Sequence, residues 1–254
     1  MSERNDAAHG AIPTLGEVWL PIGPTRTVVT AHLVRVRDVA AYVPAGIEIV
    51  RVVPGWTIAS TLLSFYGPGS TLEYNELVIA PAVVRAGGAR GAWVSHIWVD
   101  SDDSIVGGRR MGLPKESARF AWDEERHRRG RCLVSAPDGT PIASVGYGVP
   151  RLTVPWAVRG AAVSVLDDGT VVHFGSLVRA RWGAASAVVH LPAISPAAGV
   201  PLGGALVSLV SGPMRGEMGL DLRRIARVAP RAEPLLDVTG GAAKSSKVVP
   251  GARR

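Results

Sequence analysis

The stretch AAVSVLDDGTVVHFGS, residues 161–176, decides how this chain folds. It places Asp168-Gly169 between two alternating runs of apolar and β-branched residues. An Asp-Gly pair in that setting is the strongest short-range hairpin signal, because glycine accepts the positive φ that a tight turn demands. The same pattern extends outward on both sides. Upstream, residues 26–36, 47–53, 56–66, 75–85, 92–100, 131–136 and 142–149 are strand-like runs, each bounded by Gly, Pro or Asp. Downstream, residues 177–182 and 186–191 follow, and 219–228 closes the series. Helical signals are few. Residues 37–43 predict a short helix capped by Asp38 and stopped by Pro44. Residues 102–111 open with two carboxylates suited to a helix N-terminus and are then weakened by Gly107 and Gly108. Many short strands without alternating long helices predict a mainly β domain built on an antiparallel sheet.

With 254 residues, 47% of them hydrophobic and 19% charged, the chain can bury an ordinary globular core. The domain is expected over residues 10–238, followed by a disordered basic tail at 239–254, TGGAAKSSKVVPGARR. No apolar run approaches the roughly 20 residues that span a bilayer, and the first residues lack the plan of a signal peptide. A single cysteine, Cys132, excludes an internal disulfide, and its β-run places it in the core. These features predict a soluble cytoplasmic protein. The net charge of +7 owes four charges to Lys244, Lys247, Arg253 and Arg254 of the tail. The run EERHRRGR at 124–131 mixes both signs, so no nucleic-acid partner is expected. Six histidines without ligand spacing predict no metal. The glycines of 67–74 and 200–212 lack the strand–GxGxxG–helix context of a nucleotide site, so no organic cofactor is expected either.

A second stretch bears on chemistry. SIVGGRRMGLPKESARF, residues 104–120, holds Lys115, and no other lysine occurs before Lys244. Lysine is a nucleophile only as the neutral amine, whose free pKa of about 10.4 makes that form scarce at neutral pH. Apolar burial or a nearby cation raises its share and permits a Schiff base with a carbonyl compound. Met111, Leu113 and Pro114 could supply the first, and Arg109 and Arg110 the second. An exposed loop lysine is the bland alternative, and a compositional preference for arginine would account for its rarity. His96 could be an acid/base group or a satisfied, half-buried strand histidine. Glu76, between apolar neighbours, could be an acid/base group or an outward strand residue.

These residues resemble the acetoacetate decarboxylase family. Its pattern is a strand ending in Asp, a short helix with Gly-Arg-Glu, and a turn ending Gly-x-Pro-Lys-Lys whose first lysine forms the Schiff base. This chain offers HIWVD (96–100), SIVGGRRM (104–111) and GLPKE (112–116). AAYVPAGIEI (40–49) resembles the family's helix, proline and following strand. The likeness is good over residues 20–125 and collinear to about 230. It implies a cone-like, partly closed barrel with a few short helices, and a homo-oligomer. YNELVIAPAVV (74–84) would present Glu76 as the proton-moving carboxylate, and GPTRTVV (23–29) would present Arg26 to a substrate carboxylate. His96, Arg109 and Leu113 complete the expected substrate contacts. The substrate class so implied is a small keto acid, acted on without metal or organic cofactor because Lys115 supplies the electron sink. Three departures stand out. Glu116 replaces the second lysine, Arg110 replaces the glutamate of Gly-Arg-Glu, and TIASTLLSF (57–65) offers only hydroxyls, near Thr61, where decarboxylating members carry a further carboxylate. They weight the expectation from β-keto acid decarboxylation toward aldol condensation with dehydration. The alternative is a non-covalent pocket, or a shape-directed cyclase, in which Lys115 forms a plain ion pair.

Overall fold

A computed structural model describes residues 12–13, 16–23, 26–126 and 129–229. The domain limits expected at 10 and 238, and the tail from 239, lie outside the described residues. In chain order the first strands are β1 (Ile22–Gly23), β2 (Arg26–Arg35), β3 (Glu48–Ile49), β4 (Trp56–Tyr66), β5 (Tyr74–Ala80), β6 (Ala82–Ala86), β7 (Ala89–Trp93) and β8 (His96–Val99). After them come β9 (Lys115–Ser117), β10 (Arg119–Arg126), β11 (Arg129–Ser135), β12 (Pro141–Gly148), β13 (Val154–Val165), β14 (Thr170–Ala184), β15 (Ala187–His190) and β16 (Val207–Arg227). The helices are α1 (Val36–Val39), which tightens into a 3-10 turn at Ala40–Tyr42, and α2 (Asp102–Arg110). The architecture is mainly β, as the sequence predicts.

The hairpin forms where Asp168-Gly169 places it. Val165 pairs with Val171, and the Gly169 N–H donates to the Leu166 carbonyl at 2.9 Å with Gly169 at φ 80°. Asp168 accepts from the Thr170 N–H and hydroxyl, which holds its carboxyl below the usual carboxylate range. Elsewhere the runs are trimmed for identifiable reasons. The run 75–85 is cut at Pro81, which has no N–H for a ladder, into β5 and β6. The run 47–53 keeps only β3, because the Val52 N–H turns back to the Trp56 carbonyl in a tight corner. Asp38 does not cap α1. The helix begins at Val36, whose N–H bonds the Gly55 carbonyl, and Asp38 falls inside the first turn. Residues 154–160 and 207–218, punctuated by Pro and Gly and outside the strand-like runs of the sequence, are strand as well.

Twelve strands form one sheet in the order β3-β6-β7-β13-β14-β16-β2-β4-β5-β8-β9, with β1 added on β16. Most pairings are antiparallel, but β13 with β7 and β8 with β9 are parallel, so the sheet is mixed rather than purely antiparallel. Its path ends at β3 and β9 and does not close. The sheet nevertheless curls, because Leu62 of β4 and Ala162 of β13, four strands apart in the order, line one cavity. Register shifts between β14 and β16 supply bends of the kind bulges produce, as do the left-handed Gly219 and Asp221. This is a cone-like, partly closed barrel.

Alternation gives the curled sheet two faces. Leu62, Val78 and Ile97 point inward to the cavity. Their neighbours Leu63, Leu77 and Trp98 point outward, where β10-β11-β12-β15 pack over them with Cys132, Val134, Ile142 and Val145. Cys132 is fully buried there, and burial beside Asp100 pushes its thiol up to about 12. No helix among the described residues is long and apolar enough to cross a membrane.

Candidate active site

Lys115 is delivered to the cavity by the end of α2. Ser101 caps the helix N-terminus, its hydroxyl accepting the Ser104 N–H at 3.3 Å. At the other end the Leu113 N–H returns to the Gly108 carbonyl and the Gly112 N–H to the Arg109 carbonyl, with Gly112 at φ 73°. These two bonds are a Schellman closure, which requires the left-handed residue that glycine supplies. Pro114 then carries the chain into β9, where Lys115 pairs in parallel with Ile97 of β8. The Arg109 Nε donates to the Lys115 carbonyl at 3.3 Å and fixes the strand's start.

The two glycines that weaken α2 are demanded by its packing. A Cβ at Gly108 would stand 2.4 Å from the Lys115 Cδ, and one at Gly107 would stand 2.7 Å from the Trp19 ring. The helix therefore gives up propensity so that the lysine stem can lie flat against its backbone.

Lys115 is buried, 2% exposed, and its amine meets three partners. The Glu76 Oε2 lies at 2.9 Å, the Ser104 Oγ at 2.8 Å and the Tyr74 hydroxyl at 3.4 Å. The rings of Trp19 and Tyr74 sit 4.9 Å and 4.8 Å from the amine, positioned for cation–π contact. Glu76, 6% exposed, also accepts the Tyr66 hydroxyl at 3.0 Å on Oε1 and the Tyr74 hydroxyl at 3.4 Å on Oε2. Burial, together with the Glu76 charge, raises both tyrosines well above the ordinary phenol value of 10.0, so they remain donors. The ion pair lines a cavity of about 210 Å³ whose walls are otherwise largely apolar, with Leu62, Val78, Met111 and Phe174 among them. That volume, below the roughly 300–1,000 Å³ of drug-sized sites, suits a small molecule.

Of the residues singled out from sequence, the structure brings together Lys115, Glu76 and Leu113, all of which line this cavity. It does not bring Arg26, His96 or Arg109 there. Arg26 stacks over Tyr147, 5.9 Å from its centroid, and donates to its hydroxyl at 3.4 Å. His96 alternates with the inward-facing Ile97 and so points the other way. It stacks on Trp98, bonds Ser95 at 2.7 Å, and lines a separate cavity of about 360 Å³ beside Tyr42 and Trp93. Arg109 is exposed and, among the described residues, bonds the Lys115 backbone. Arg110 is also exposed and donates to the Pro13 carbonyl, so neither arginine stands beside the amine.

Thr61 turns away as well. Its hydroxyl bonds Thr30 at 2.6 Å, Thr30 bonds His32 Nε2 at 2.7 Å, and His32 Nδ1 bonds the Gly203 carbonyl at 2.7 Å. Burial lowers the His32 pKa, which keeps the ring neutral in this chain of hydrogen bonds. The residue of that segment facing the cavity is Leu62. Sequence reasoning missed Trp19, Tyr66, Tyr74 and Ser104. The period-two spacing of Tyr74 and Glu76 on one strand face was a usable signal for the second tyrosine, and Trp19 had none.

The acetoacetate decarboxylase family model matches residues 11–163, more than half of the chain. The chain belongs to that family. None of the curated proteins matches it in sequence. Among solved structures, the enduracididine biosynthesis enzyme MppR matches with a TM-score of 0.62 at 16% identity, over 85% of this chain and 90% of that one. Acetoacetate decarboxylase from Legionella pneumophila matches with a TM-score of 0.55 at 17% identity, over 84% and 90%. An acetoacetate decarboxylase-like enzyme from Sphingomonas wittichii matches with a TM-score of 0.52 at 16% identity, over 84% and 94%. At these identities the likeness shows the family's fold. MppR has been solved with pyruvate and with a condensation product of pyruvate and imidazole 4-carboxaldehyde.

Proposed function

We propose that this family member is an enzyme that makes or breaks a carbon–carbon bond next to a carbonyl group through a Schiff base on Lys115. The observation that carries the proposal is a buried amine 2.9 Å from a buried carboxylate at the wall of a small apolar cavity. Glu76 takes a proton from the Lys115 ammonium, and the neutral amine attacks the carbonyl carbon. The carbinolamine oxygen leaves as water with a proton returned by Glu76, giving a protonated iminium beside the Glu76 carboxylate. The charge of the pair is the same before and after, so the step needs no counter-ion from outside. The iminium accepts the electron pair of the neighbouring carbon when a bond there breaks, or when Glu76 removes an α-proton to give an enamine that attacks a second carbonyl. Tyr66 and Tyr74 hold Glu76, and Ser104 holds the amine.

Both family reactions use this iminium. Aldol-type condensation is favoured here because the cavity presents Leu62, not a second carboxylate, from the segment 57–65. The proposal includes a cytoplasmic location, supported by the free thiol of Cys132, and assembly of identical chains. A second reading has its own support. All three donors of the ammonium have partners, as they would in a structural ion pair within a non-covalent binding pocket. Reductive trapping separates the two. Borohydride with a small carbonyl compound is expected to add mass to Lys115 in the native protein and to leave Lys115→Arg unmodified and inactive. An unmodified native protein that still turns over, or a Lys115→Arg variant that keeps its activity, would defeat the Schiff-base reading.

A further inference from the structure

The charge inventory of the cavity bears on what it takes in. Among the described residues that line it, Lys115 and Glu76 are the only charged groups, and they neutralise each other. Tyr66 and Tyr74 direct their hydroxyls to Glu76. The remaining hydroxyl on the wall belongs to Ser176, accommodated because its cross-strand partner is Gly160, where a Cβ would lie 2.8 Å from the Ser176 oxygen. The other walls are apolar, with Leu62, Val78, Ala162 and Phe174 among them. The guanidinium of Arg26 is engaged with Tyr147 outside this lining.

We infer that the compound condensing with Lys115 is an uncharged aldehyde or ketone with a short aliphatic chain, rather than the keto acid that the family resemblance implies. The inference rests on the Schiff-base reading above and adds the substrate class to it. With a neutral carbonyl compound, the iminium and the Glu76 carboxylate sum to zero, as the resting pair does. A substrate carboxylate would add an uncompensated negative charge to an apolar enclosure that already holds one carboxylate. Burying a charge without a partner is among the costliest events in a protein. A neutral substrate loses no carboxyl group, so the bond made or broken is of the aldol type. Ser176 offers one hydrogen bond to a hydroxyl or second carbonyl oxygen on that chain.

The test uses the full chain with borohydride and two methyl ketones of similar length, hexan-2-one and 4-oxopentanoate, which differ in the terminal carboxylate. Mass spectrometry follows the peptide bearing Lys115. Hexan-2-one is expected to label Lys115 at least about tenfold faster, a difference of about 1.4 kcal/mol. Leu62→Arg, which adds a cation to the wall, is expected to raise labelling by 4-oxopentanoate about tenfold. Equal or faster labelling of the native protein by 4-oxopentanoate would overturn the inference while leaving the Schiff base standing. If neither ketone labels Lys115, the Schiff-base reading fails and melting temperature decides the rest. A rise with hexan-2-one but not with 4-oxopentanoate keeps the charge rule for a non-covalent pocket, and no response to either overturns it.

Discussion

Glu116 follows Lys115 on β9 and points the other way, exposed to solvent where Lys115 is buried. The carboxylate that replaces the family's second lysine therefore faces water, and the carboxylate that reaches the amine is Glu76. An exposed charge seen through solvent is weakly felt at a buried site, since high dielectric and salt both screen it. Glu116→Lys is accordingly expected to move the pH optimum of turnover by no more than about one unit. The pH–rate profiles of the native and variant proteins measure this directly. A much larger displacement, or turnover that appears only in the variant, would mean that the residue at 116 governs the amine. Three of the groups around the Lys115–Glu76 pair, Tyr66, Tyr74 and Ser104, are hydroxyls, and hydroxyls are too common in a sequence to stand out before the chain folds.

At the scale of elements, α2 and β9 act as one device, in which the helix supplies Ser104 and a bare backbone at Gly108, and the Schellman turn aims Lys115. Gly108→Ala separates intrinsic propensity from this packing. In an exposed helix interior the change would stabilise by about 1 kcal/mol. Here the new methyl would meet the Lys115 stem at 2.4 Å, and overpacking of that kind costs roughly 1–3 kcal/mol. The expected outcome is a lower melting temperature together with at least a tenfold loss of Lys115 trapping, because the stem must move. Calorimetry and the borohydride assay read the two effects separately. A variant that is more stable and fully reactive would show that the glycine serves only the helix.

For the whole molecule, the outer edge of β13 has a consequence for assembly. β13 pairs with β7 only at Ala162 and Val163, so residues 154–161 present a strand edge on that side among the described pairings. Trp156 and Val154 lie on the face of Ala180 and Trp182, their cross-strand partners, and are 61% and 51% exposed. An apolar strand edge invites pairing with another chain, and a second copy of this one is the expected occupant. The native protein should sediment as a dimer or larger, and Trp156→Glu should shift it toward the monomer with its circular dichroism unchanged. A monomeric native protein, or a variant with unaltered mass, would remove the assembly proposal.

The sequence by itself determined most of the strands, though not the segments 154–160 and 207–218, because alternation, β-branching and punctuation by Gly, Pro and Asp-Gly are local properties of the chain. It also marked Lys115 by its isolation, and the family resemblance marked Glu76, so the two charged residues that line the cavity were legible. Arg26, His96 and Arg109 were not, since whether a residue faces the cavity depends on register and on how the sheet curls. Arg26 turns to Tyr147, 121 residues away, and Trp19 reaches the lysine only because β16 and its neighbours bring the N-terminal segment across α2. Side-chain direction alternates every residue along a strand, so a shift of one place exchanges the wall of the cavity for its outside. Tertiary pairing alone made that choice, placing Leu62 in the cavity and Thr61 behind it.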